Sequence, residues 1–133
     1  MELSAFIRQF EPLIGKWSAK HEEQRRDGYY ESVRWHLTTS PATSEHAARA
    51  ELVEDYEWGR GNEPRSFYQK RWRGEFTPYG NGFRLRVERE SCQGRASSDC
   101  EPQSPFTFTV YPSGDYLDFS AAGNLRLRFF EDP

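Results

Sequence analysis

Apolar residues change their spacing once along this chain, separating a short helical start from a long series of extended segments. Leu3, Phe6, Ile7, Phe10, Leu13 and Ile14 recur at helical intervals. Pro12 disfavours helix at the residue before it, so the pattern predicts a helix that stops near Phe10 or Glu11. From Gly15 onward the period is two. Trp17, Ala19 and His21 alternate with Lys16, Ser18 and Lys20 up to an Asp27-Gly28 turn. Val33, Trp35 and Leu37 then alternate with Ser32, Arg34 and His36 until the Ser40-Pro41 break. Leu52, Glu54, Tyr56 and Trp58 share a face, stopped by Gly59-Arg60-Gly61-Asn62. A fourth run over 66–76 sets Tyr68, Lys70 and Trp72 against Phe67, Gln69, Arg71 and Arg73. Tyr79-Gly80-Asn81-Gly82 reads as a tight hairpin turn into Phe83, Leu85 and Val87, with Arg84, Arg86 and Glu88 opposite. Residues 91–104 have loop composition, and Phe106–Val110, Tyr116–Ser120 and Leu125–Phe129 complete the series.

Extended segments joined by short turns pair antiparallel with their neighbours in sequence. Eight of them predict an all-β fold: an antiparallel up-and-down barrel of eight or more strands with a short N-terminal helix, or a sandwich if the sheet does not close. The chain carries no linker and no internal repeat, so residues 1–133 read as a single barrel domain.

Composition changes the expected filling of that barrel. Leu, Ile and Val total only 14 residues, whereas Phe, Tyr and Trp total 21. The core is therefore expected to be built from rings, with bulky aliphatic filling scarce enough to leave room for a pocket. The small net charge of −3 and the aromatic content argue against disorder. No window approaches a membrane-spanning length of apolar residues, and the acidic start lacks a basic-then-apolar leader pattern, so the expectation is a cytoplasmic protein without a membrane partner.

Charge is uneven, with 8 basic and 3 acidic residues in 65–95 between two acidic flanks. Arginine interleaved with aromatics can bind single-stranded nucleic acid. Here the alternation turns the rings inward and Arg84 and Arg86 outward. The expected partner is thus not nucleic acid but, if a macromolecule at all, a protein with an acidic surface. His21, His36 and His46 show no metal-ligand spacing, so no metal is expected, and Cys92 and Cys100 are expected to be free loop cysteines. No phosphate-cradling loop and no nucleophile setting is present.

Ile14-Gly15-Lys16-Trp17, a Gly-x-Trp opening the first strand after a short helix, resembles the lipocalin/calycin superfamily. The resemblance implies that Trp17 closes one end of the barrel, with Arg126 or Arg128 of the last strand packed over its indole. Within that superfamily, Glu51–Trp58 followed by Pro64–Arg71 is similar to the T-type phycobiliprotein chromophore lyases, and Phe119–Arg128 to the ending of the S-type lyases. These fragments imply a tetrapyrrole or bilin ligand, no other cofactor, and carriage or attachment of the bilin to an acceptor protein.

Alternation assigns the ligand-facing candidates. His21, Glu31, Glu54, Lys70 and Arg89 are polar groups set among inward apolar neighbours, and charges aimed inward need partners or a ligand. Glu31 and Glu54 can accept pyrrole N–H bonds, an arginine can bind propionates, and Glu54 beside tryptophan is the candidate proton donor or acceptor. Trp35, Tyr56, Trp58, Tyr68 and Trp72 can form a wall for a flat ligand, or simply a β core. Two other readings remain open: an adaptor whose barrel is filled by its own rings, and a haem- or lipid-binding calycin in which His21 is the inward histidine.

Overall fold

The computed structural model describes residues 8–42, 46–63, 65–94, 105–122 and 125–133. Alternating residues place one side chain in two on a common face, and here that face curls inward on eight strands. These are β1 (Gly15–Gln24), β2 (Tyr29–Thr39), β3 (Ala48–Arg60), β4 (Ser66–Tyr79), β5 (Gly82–Gly94), β6 (Phe106–Ser113), β7 (Tyr116–Ala121) and β8 (Leu125–Glu131). Each pairs antiparallel with the next, and β8 returns to β1 through Trp17–Glu131 and Ser18–Phe130, closing an up-and-down barrel. The expected all-β barrel is the observed fold.

The helical start differs from expectation in kind and extent. Residues Arg8–Leu13 form a 3-10 helix that runs through Pro12 rather than ending before it, while Leu3, Phe6 and Ile7 lie outside the described residues. The tighter 3-10 turn suits so short a segment. Phe10 and Leu13 drop from it into the barrel end, fully buried. The core above them is a chain of rings: Phe10 meets Phe83 at 5.7 Å between centroids, and Phe119 meets Phe129 at 4.5 Å and Phe108 at 5.3 Å. These tilted arrangements are the favoured ones for aromatic pairs. Rings do fill the barrel, but at this end only.

Trp17 lies 4 % exposed at the same end and its indole Nε1–H donates to the Leu13 carbonyl at 3.0 Å. Among the described residues, no arginine covers it. Strand alternation on β8 turns Leu125, Leu127 and Phe129 inward, which sends Arg126 and Arg128 to solvent. Arg128 instead stacks on Tyr116 at 4.1 Å and donates to Asp118 at 3.1 Å. The expected Arg–Trp closure is thus replaced by a backbone hydrogen bond from the tryptophan to the 3-10 helix.

Two features of β4 and β5 decide what lies higher in the barrel. At Gly74 the strands approach so closely that a Cβ would stand 1.9 Å from the Arg86 carbonyl oxygen. Above it the register slips between Arg71 and Trp72, so that Trp72 faces Arg89 and Lys70 faces Cys92. Glu90 is the extra residue of this bulge, and its carboxylate takes the Arg73 guanidinium at 2.9 Å on the outer face. Strand β5 therefore continues through 91–94, which had loop composition, and Cys92 is half-buried. It is disulfide-bonded rather than free. The only other cysteine, Cys100, lies outside the described residues. No helix among the described residues is long and apolar enough to cross a membrane.

Candidate functional site

The ring-packed end gives way, farther along the axis, to a cavity of about 250 Å³. Its position follows from the pairing of β2 through β5. Trp35 faces Glu54, Glu54 faces Lys70 and Leu52 faces Trp72, so one inner stripe carries two tryptophans, a carboxyl and an amine side by side. Tyr68 sits one step further along β4. Val87, Phe106, Phe108 and Leu125 complete the apolar wall from the far strands. Phe106 meets Trp72 edge-on at 6.2 Å and Phe108 at 5.5 Å, so the wall is a continuous set of rings.

The polar groups are few and deeply placed. Glu54 is 8 % exposed and Lys70 7 % exposed. The Tyr68 hydroxyl donates to Glu54 Oε2 at 3.0 Å, and Lys70 Nζ stands over the Tyr68 ring, 4.3 Å from its centroid. Burial pushes the Glu54 carboxyl above the ordinary glutamate range, opposed by the Tyr68 hydrogen bond and the Lys70 charge. Lys70 forms no ion pair among the described residues; Glu54 acts on it across the stripe without contact. The buried Trp72 indole N–H approaches the Glu54 carboxyl closely enough to help hold its pKa down, but not in the geometry of a hydrogen bond. The apolar cavity thus carries one buried donor that makes no hydrogen bond, the Trp72 indole N–H, beside the buried Lys70, and such a donor costs free energy unless something fills the site.

Beyond the cavity lies a second polar layer. Tyr56 stacks flat on Tyr68, with centroids 5.0 Å apart and an interplanar angle of 6°, and Trp58 tilts against both. Glu31 is half-buried and accepts from the Tyr56 and Tyr29 hydroxyls. Those two bonds hold its carboxyl below the ordinary range, while burial and the bond to Glu31 push the Tyr56 phenol up. His21, Glu23 and Glu31 bring ligand atoms within 4.8 Å of one another. Sequence spacing did not show this group because its members come from two paired strands, with Glu23 opposite Glu31. Glu23 is also held by Arg25 at 3.0 Å.

Of the sequence-derived candidates, Trp35, Glu54, Tyr68, Lys70 and Trp72 converge on the cavity. Glu31, Tyr56 and His21 gather in the outer layer instead, and His21 is exposed. Arg89 is half-buried opposite Trp72, outside the cavity lining. Phe106, Phe108 and Leu125 were not among the candidates. Their alternation was visible in the chain, but their approach to Trp35 and Trp72 requires the sheet to close.

Several outer arginines of the basic stretch are occupied within the sheet. Arg71 pairs with Glu51 at 3.5 Å, Arg73 with Glu90, and Arg84 stacks on Tyr79 at 4.0 Å. Comparison of the chain with protein-family models and with curated proteins finds no significant match.

Proposed function

We propose that this protein is a small-molecule-binding β-barrel of calycin type. Its ligand is compact, flat and largely apolar, with a carboxylate or carbonyl oxygen received by Lys70 and the Trp72 indole N–H. The observation that carries this reading is the buried Trp72 indole N–H, which makes no hydrogen bond, standing with the buried Lys70 on the wall of a ring-lined cavity. An oxygen acceptor there would restore the hydrogen bond that the Trp72 N–H lacks, worth about 1–3 kcal/mol when otherwise unmade. Size supports the same reading. A cavity of roughly 150 Å³ accommodates benzene, so one of about 250 Å³ suits one or two fused rings. A linear tetrapyrrole, carried or transferred to an acidic acceptor protein with Glu54 as the acid, would have to extend outward past Tyr56, Trp58 and Tyr68. For the compartment, the disulfide at Cys92 favours an oxidising environment over the cytoplasm.

Trp35 and Trp72 make the test direct, because their fluorescence reports the cavity. The protein is titrated with 2-naphthoate, its neutral methyl amide, naphthalene and a linear bilin. Saturable naphthoate binding, weakened about tenfold or more by Lys70→Met with naphthalene unaffected, is the expected result. Equal binding of naphthoate by wild type and Lys70→Met, or no binding of any probe at millimolar concentration, would remove the reading. Preferential saturation by the bilin would replace the compact ligand with the tetrapyrrole.

A further inference from the structure

We propose that Lys70 is a covalent capture site for aldehydes, joining a flat aromatic or polyene aldehyde to the barrel as a Schiff base. The inference rests on the ligand-binding reading of the cavity and adds bond formation to it. Three features of the wall point to this chemistry. Lys70 has its Nζ in an apolar, ring-lined cavity, over the Tyr68 ring and without an ion pair among the described residues. A lysine amine desolvated in such a pocket is the usual amine nucleophile toward carbonyls. Glu54 lies directly opposite on β3, and the Tyr68 hydroxyl is hydrogen-bonded to its carboxyl at 3.0 Å. An acid beside the amine is what loss of water from a carbinolamine requires. The Trp72 N–H, buried and unpartnered, is a donor for the carbonyl oxygen in the same cavity.

The step balances without oxidant or reductant. Once the Lys70 nitrogen has released its proton, its lone pair forms the C–N bond while the carbonyl π pair moves to oxygen. The nitrogen then gives up its protons as the oxygen departs protonated, so that one water leaves and a C=N bond remains. Glu54 supplies a proton to the departing hydroxyl and recovers one from nitrogen, ending as it began. Tyr68 and Glu54 act here as proton-handling neighbours, whereas Lys70 alone bonds the ligand.

The chain makes the assignment unusually clean, because it holds three lysines, Lys16, Lys20 and Lys70, and the other two are exposed. The oxidised full chain is incubated with 2-naphthaldehyde, reduced with borohydride, and digested for peptide mass mapping. The expected result is one naphthylmethyl group on Lys70, formed at least tenfold faster than on Lys16, Lys20 or the amino terminus. Saturating 2-naphthoate should suppress it, and Glu54→Gln should slow it tenfold or more at aldehyde concentrations that saturate the variant. Even labelling of the exposed amines with no preference for Lys70 would overturn the inference. If Lys70 stays unlabelled while naphthoate binds through it, covalent capture fails and the non-covalent reading stands. If naphthoate does not bind either, both fail.

Discussion

Replacing Gly74 by alanine adds one methyl group at the tightest point of the barrel. The added Cβ would lie 1.9 Å from the Arg86 carbonyl oxygen and 2.8 Å from Val87 Cγ1. Real Cβ contacts essentially never fall below 3.0 Å, so the β4 and β5 backbones must separate by roughly 1 Å at a paired rung, and neither obstacle is a flexible side-chain tip. Overpacking of this kind costs about 1–3 kcal/mol, and displacement of the backbone puts Gly74→Ala at about 2–4 kcal/mol. Val87 lines the cavity, so the same displacement should weaken naphthoate binding. Gly59→Ala is the matched control. Its Cβ would meet Arg65 at ordinary contact distances of 3.5–3.9 Å, and alanine there should leave stability unchanged or raise it by up to about 1 kcal/mol. Urea unfolding of both variants, at constant m, measures the difference. A Gly74→Ala protein within about 0.5 kcal/mol of wild type would refute the close approach.

Glu31 and Glu54 should shift the pH dependence of stability in opposite directions. The Glu31 carboxyl is lowered from 4.5, so its contribution is present above that value and lost as pH falls through the lower folded value. Glu31→Gln should therefore be less stable than wild type at neutral pH, with the gap closing in acid. The Glu54 carboxyl is raised, so its contribution is present below 4.5 and lost as pH rises through the folded value. Glu54→Gln should gain on wild type toward neutral pH, and urea midpoints across the acid-to-neutral range that move together would contradict both assignments. Phe10→Ala empties a fully buried site at the ring-packed end and should cost about 3–5 kcal/mol without abolishing cavity binding, measured by urea unfolding and naphthoate titration. Thiol titration of the denatured, unreduced protein should detect no free cysteine, and two after reduction. Two thiols before reduction would restore the free-cysteine expectation.

The sequence by itself determined the number of strands, their order and which face of each turns inward. Those properties are local, since a period of two and a turn residue act within a few positions of the chain. Hence Trp35, Glu54, Tyr68, Lys70 and Trp72 are legible as inward residues from alternation alone. The tertiary structure decided which inward residues meet. Closure of β8 on β1 brings the far strands round, so that Leu125, Phe106 and Phe108 complete a wall begun by Trp35 and Trp72. The bulge at Arg71/Trp72 places Cys92 opposite Lys70, an offset no alternation pattern carries. Pairing of β1 with β2 gathers His21, Glu23 and Glu31. Arg128 finds Asp118 and Tyr116 rather than Trp17 because its strand turns it outward and those two groups supply a nearer carboxylate and ring. Distance across a barrel is set by closure, stagger and twist, which belong to the whole sheet, whereas the facing of a side chain belongs to its own strand.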